Sequence, residues 1–126
     1  TGNAVDFGYI TTLFRYGAGI SNQTRGLIAG AYQGGGASGT LNTIQYITTA
    51  TAGNATDFGD ATVNVERHGA CSDGTYHVNG GGTSDGSPAR VNVMDYVTIQ
   101  TLGNAQDFGD LLFITSGVSA SSGAAA

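Results

Sequence analysis

His68 and Cys71 stand three residues apart, with Glu66 just before them. A thiolate beside an imidazole makes a nucleophile, and Cys, His and carboxylate together make a zinc site. Zinc takes about four ligands, and only His77 is left to complete the set. An offset of 51 residues places Arg15, Gly17 and Ile20 opposite Glu66, His68 and Cys71, so the trio belongs to one part of the chain alone. The group therefore reads as ordinary loop residues. Cys71, the single cysteine, forms no internal disulfide and reads as a small buried apolar side chain.

A second constellation is "N-x-x-D-x-x-D", at Asn54, Asp57 and Asp60 and again at Asn104, Asp107 and Asp110. Clustered oxygens suit calcium. The spacing matches no known calcium loop, and Tyr9 replaces the last acid in the copy at Asn3 and Asp6. Local turn bonding by Asn and Asp accounts for the same residues. A third set is Tyr32, Tyr76, His77 and Asp85, which flank the glycine clusters "GGGASG" and "GGGTSDGSP". Aromatic rings beside a carboxylate are what a sugar site uses, so these four are the candidate ligand contacts. The glycine clusters themselves precede no helix, so the phosphate-cradling chemistry of a helix N-terminus does not apply. Catalysis, metal and cofactor are all expected to be absent. No pair of acids recurs in apolar surroundings that raise a pKa.

The elements that would position these residues follow from composition. The 126 residues include 22 Gly, 1 Pro and no Trp, and only 10% are charged, far below the usual quarter. Thr, Val, Ile and Tyr favour strands and Gly favours turns, so the chain is expected to be all-β, with no helix longer than two turns. Net charge is −5, and the four arginines are scattered. That excludes the basic patch which nucleic-acid binding needs. No apolar run is long enough to span a membrane as a helix. The chain begins with Thr1 rather than Met, as expected of a processed chain or part of a longer one.

The strongest signal is internal repetition. "GNAVDFGY" opens the chain, "GNATDFGD" follows at 53–60 and "GNAQDFGD" at 103–110. Phe7 lies over Phe58 at an offset of 51, and Asn42, Tyr46, Thr48 and Gly53 recur at an offset of 50 as Asn92, Tyr96, Thr98 and Gly103. The unit is about 50 residues long and occurs about two and a half times, with units at 2–52, 53–102 and a partial one at 103–115. A period near 50 marks propellers and arrays. Residues 116–126, rich in Ser, Gly and Ala, read as a tail or linker.

Three strands are expected in each unit. One follows the DFG turn, with Ile10, Thr12 and Phe14 alternating with Tyr9, Thr11 and Leu13, and with Ala61, Val63 and Val65, then Leu111 and Phe113, as counterparts. The second is "RGLIAGAY" or "YHVNGGG", and the third is "NTIQYITT" or "NVMDYVTI". In the third, Ile44/Met94 and Tyr46/Tyr96 share one face and Ile47/Val97 the other, so the sheet is packed on both sides. "ATDF" has the length of a short fourth strand. The junction residues Asn3, Asp6, Phe7, Asn54, Asp57, Phe58, Asn104, Asp107 and Phe108 join one unit to the next. Phe58 and Phe108 are expected to be buried as equivalent pegs between sheets.

The glycine cluster followed by "N-x-apolar-x-Y" resembles the kelch repeat, although no Trp follows the Tyr strand. The longer string "TRGLIAG…NTIQYITTATAGNATDFGD" is similar to kelch-like repeats of large virion proteins in tailed bacteriophages. The resemblance covers the chain to about residue 115. It implies β-propeller blades, a partial propeller or one completed by oligomerisation. A small β-sandwich is the alternative fold. It further implies a non-enzymatic structural or adhesive module of a tail, fibre or baseplate-associated protein, located in the virion. Its partners would be other copies, flanking segments of a longer polypeptide, or host-surface glycan. A stand-alone carbohydrate-binding propeller assembled from short chains is the alternative function. A propeller needs about 4–8 blades to close, so two units and a fraction leave open ends.

Overall fold

The computed structural model describes residues 2–12, 14–34, 39–85 and 89–121. Among these the chain is all-β, with two antiparallel four-stranded sheets and no helix. The first sheet contains β1 (Ala18–Ser21), β2 (Arg25–Tyr32), β3 (Thr40–Thr48) and β4 (Thr56–Asp60). The second contains β5 (Gly69–Ser72), β6 (Tyr76–Gly80), β7 (Val91–Thr98) and β8 (Gln106–Thr115). Each sheet is a simple meander in chain order, and β1 also neighbours β5.

The repeat in sequence is thus a repeat in structure, with two of the expected strands in place. "RGLIAGAY" is β2 over its whole length, and the Tyr-bearing strands are β3 and β7. The short fourth strand exists too: "TDFGD" is β4. The strand expected after the DFG turn does not form among the described residues of 10–14, nor at 61–65. There the chain crosses to the next sheet as a loop, and the edge strand forms later, at "AGIS" and "GACS". At 61–65 the alternation reflects contact with two sheets in turn, Ala61 and Val65 bonding the first sheet and Thr62 the second. In the last copy Leu111 and Phe113 do lie in a strand, because β8 runs on to Thr115. Leu13 lies outside the described residues, as do positions 35–38 and 86–88 of the glycine clusters.

Local chemistry sets the tight hairpins. Asn22 Oδ1 accepts from the backbone N–H of Thr24 and Arg25, at 2.9 and 2.8 Å, and so closes the β1–β2 turn. Asp73 Oδ1 does the same for Thr75 and Tyr76 between β5 and β6, at 2.8 and 2.7 Å. Those bonds favour the ionised carboxylate, and the N–H of Tyr76 first, then that of Thr75, lowers the Asp73 pKa.

The core lies between the sheets. Leu27, Ala29, Ile44 and Phe58 point from one face of the first sheet, with Ile20 and Tyr46 beside them. Val97 and Ile99 of the second unit complete the cluster. Phe58 is 2% exposed and meets the Tyr46 ring edge-on, with centroids 6.0 Å apart. It sits in a β-bulge, where Ile44 faces Gly59 and Gln45 faces Asp57, leaving Phe58 as the extra residue. Phe108 occupies the same bulge opposite Met94 and Asp95.

Candidate functional site

The GNAxDFG text folds into a backbone ladder that joins successive units. The N–H of Gly53 donates to Phe7 O at 2.7 Å and that of Ala55 to Tyr9 O at 2.8 Å, while Tyr9 N–H donates to Asn54 Oδ1 at 3.1 Å. One unit later the same three bonds recur. Gly103 N–H donates to Phe58 O (2.9 Å), Ala105 N–H to Asp60 O (2.7 Å) and Asp60 N–H to Asn104 Oδ1 (3.1 Å). Gly-Asn-Ala of each unit therefore docks on the Phe-Gly-Asp (or Tyr) before it. The contact is too close for a side chain: a Cβ on Gly8 would overlap Gly53 O, and one on Gly59 would overlap Gly103 O. Both glycines also have positive φ, +145° and +144°. The aspartates hold the turn itself, since Asp6 Oδ1 and Asp107 Oδ1 each accept from the glycine two residues on, at 3.1 Å.

A second ladder runs through the crossing loops. Tyr16, Arg67 and Gly117 hold matching positions, with φ of +61°, +55° and +70°. Arg67 N–H donates to Tyr16 O and Gly117 N–H to Arg67 O, each at 2.9 Å. At the hairpin end, Asn22 Nδ2 donates to Gly74 O (3.0 Å), and Arg25 Nη1 donates to Ile99 O (2.9 Å) while lying over the Tyr46 ring.

Between the ladders lies a buried polar seam. His77 Nε2 bonds Asn79 Oδ1, and Asn79 Nδ2 donates to Asp95 Oδ1 at 2.9 Å. The other Asp95 oxygen accepts from Thr62 N–H at 2.8 Å and Thr62 Oγ1 at 2.9 Å. His77, Asn79 and Asp95 are all buried. Asp95 thus reaches from the second sheet to the segment that crosses over from the first sheet. In the preceding unit Gln45 Oε1 accepts from Thr11 N–H in the same way, at 2.8 Å. His68 is buried beside the seam, where its Cε1 would stand 2.7 Å from a Cβ on Gly30. Both His68 ring nitrogens lack a partner, and burial, then the nearby His77, pushes its pKa down to about 4. Burial also lowers the pKa of His77, against the opposing effects of Asn79 and Asp95.

The structure redistributes the residues singled out from sequence. The four candidate ligand contacts do not converge. His77 is buried in β6, not on a glycine loop, because its ring fills the seam. Asp85 accepts from Thr40 N–H (2.9 Å) and Thr40 Oγ1 (2.6 Å), and so ties the two glycine regions together. Tyr32 packs on Gly39 and under Arg15. Tyr76 alone of the four faces a cleft. Cys71 is half-buried rather than buried and lines that cleft. Among the described residues no three His, Cys, Asp or Glu side chains gather as metal ligands. Phe108 is 60% exposed, against the expectation that it matches Phe58, because no following sheet covers it. Gln45 and Asp95 were missed. Their signal was a polar residue at the same place in both "NTIQYITT" and "NVMDYVTI".

The exposed Phe108 belongs to an open face. Cys71, Val78, Tyr96 and Phe108 of the second sheet match Ile20, Leu27, Tyr46 and Phe58 of the first, which are covered. With no sheet on them, they line a cleft of about 620 Å³ with Asp73, Tyr76, Asp107 and Ser121, beside Val118 and Ala120, which pack on Gly69. Tyr96 stands edge-on between Tyr76 and Phe108, with centroids at 5.6 and 5.8 Å. Leu112, Phe113 and Ile114 extend the exposed apolar surface along β8. No known family model matches this sequence, and no curated protein matches it significantly.

Proposed function

We propose that this chain is a structural module of a tailed-phage virion, part of a tail, fibre or baseplate-associated protein, built as successive kelch-like propeller blades. The observation that carries this reading is the backbone ladder at the unit junction, repeated bond for bond from Phe7–Ala55 to Phe58–Ala105. A unit that meets its neighbour through main-chain bonds and a glycine contact stacks at constant geometry whatever its surface residues are. Surface loops are then free to vary and to touch a host surface. The meander order in each sheet and the closeness of β1 to β5 support the blade reading over a sandwich.

The polar groups that suggest chemistry serve assembly instead. Asp95, Asn79 and His77 bond one another and Thr62, and Asp85 bonds Thr40. The sugar-binding alternative is weakened by the same facts, since His77 and Asp85 are engaged within the protein. Immunogold labelling of purified particles with antibody to this chain tests the proposal. Gold on tails or fibres is the expected result, and label confined to the particle-free fraction refutes it.

A further inference from the structure

Residues 2–11 and 103–112 carry nearly the same text, "GNAVDFGYIT" and "GNAQDFGDLL", yet the fold treats them differently. The later copy is built into a sheet: β8 pairs along β7 from Tyr96 to Val91. The earlier copy belongs to no strand, and residues 2–10 are all exposed, Val5 among the most at 88%. It is held on the first sheet by the rung bonds to Gly53, Asn54 and Ala55 and by Thr11 N–H on Gln45.

The place that residues 7–11 occupy is defined by its counterpart one unit on. There residues 58–62 fill the equivalent site, on Gly103–Ala105 and Asp95, and they bring a whole four-stranded sheet with them. At the other end of the molecule, Phe108, Gly109 and Asp110 present the docking element with no following sheet on it among the described residues. No atom of another residue lies within 4 Å of a Cβ placed on Gly109, whereas the same Cβ on Gly59 overlaps Gly103.

We propose that this chain associates head to tail with a second copy of itself, and that residues 2–11 are an internal stand-in for the partner's β8. In the assembled form the second copy's Phe108–Asp110 replaces Phe7–Tyr9 at Gly53–Ala55. The hydrogen bonds exchange one for one: Gly53 N–H to Phe108 O, Ala55 N–H to Asp110 O, and Asp110 N–H to Asn54 Oδ1. What the exchange adds is burial. Val78, Tyr96 and Phe108 are covered by the face bearing Ile47, the counterpart of the buried Val97. Because the stand-in already satisfies the rung, it weakens association without blocking it, and each copy contributes two sheets to the growing stack. This deepens the modular reading and rests on it for direction. It is tested separately, since a purely monomeric chain overturns the exchange and leaves particle labelling untouched.

Size-exclusion chromatography with light scattering over a concentration series is the experiment. Wild-type mass should rise above 12.6 kDa with concentration. Tyr9→Pro removes the N–H that bonds Asn54 and should tighten association about tenfold, the worth of one such bond. Phe108→Asp, at a position already exposed, should abolish it, alone or combined with Tyr9→Pro. Amide exchange on the wild type supplies a readout independent of folding of the variants. On association the Tyr9 and Thr11 amides should lose protection while that of Asp110 gains it. Association that ignores Tyr9→Pro, survives Phe108→Asp, or leaves the Tyr9 amide protected overturns the proposal. So does a monomer at every concentration in both wild type and Tyr9→Pro.

Discussion

Phe58 and Phe108 offer a matched pair: one residue type, one motif, one bulge, and two environments. Phe58→Ala removes a ring that is 2% exposed. Burial of a Phe side chain contributes about 1.5–3 kcal/mol. The edge-on contact with Tyr46 adds about 0.5–1.5 kcal/mol. A void remains as well, because Leu27, Ile44 and Val97 are anchored in strands and cannot all close on it. The expected loss is about 3–5 kcal/mol, the usual range for a core Phe. Phe108→Ala removes a ring that is 60% exposed, with Tyr96 as its aromatic neighbour. Scaling the burial contribution by the covered fraction leaves about 1 kcal/mol, to which the solvent-exposed edge-on contact with Tyr96 adds about 0.5 kcal/mol at most. Urea titrations at protein concentrations low enough to keep the chain monomeric measure both. The two variants should differ by about 2–4 kcal/mol with similar m-values. Equal losses would refute the argument that a following sheet, rather than the motif itself, buries the DFG phenylalanine.

Three further outcomes are expected. His68 has a folded pKa of about 4 against an ordinary 6.5, so the unfolded chain takes up its proton first as pH falls. As pH falls from about 6.5 towards 4 the wild type should lose about 3 kcal/mol of stability; His68→Leu, which removes two buried unpartnered ring nitrogens, should lack that step, so its stability should rise relative to wild type through that window. Gly109→Ala should cost about 1–3 kcal/mol for its positive φ alone. Gly59→Ala must also displace Gly103 and should cost clearly more in the same urea assay. Asp95→Ala strips partners from Thr62 and Asn79 across the junction and should cost about 3 kcal/mol, read as a lowered urea midpoint.

Much of the architecture was legible in the residues. Gly and Thr content together with period-two runs excluded helices, and the spacing of the GNAxDFG copies set the unit length. The assignment of β2, β3 and β7 followed from the runs "RGLIAGAY", "NTIQYITT" and "NVMDYVTI", whose strand-forming residue types act locally along the chain. The turn role of Asp6 and Asp107 was equally readable, because Asx bonding is local; Asn54 and Asn104, read the same way, instead accept across the junction from Tyr9 and Asp60, more than forty residues away. Tertiary structure decided the rest. Period two at 10–14 and 61–65 looked like a strand, but at 61–65 a crossing segment that meets two sheets in turn shows the same alternation. His77 read as a ligand contact in a strand flanking a glycine cluster; only the chain of bonds through Asn79 and Asp95 to Thr62 explains a histidine buried there. The sharpest case is the phenylalanine of the repeat. Phe58 and Phe108 share the same flanking residues, and sequence assigns them one fate. Burial is a property of what packs on a side chain, and for Phe58 that partner lies some forty residues along the chain, at Val97 and Ile99, whereas no such sheet covers Phe108 among the described residues.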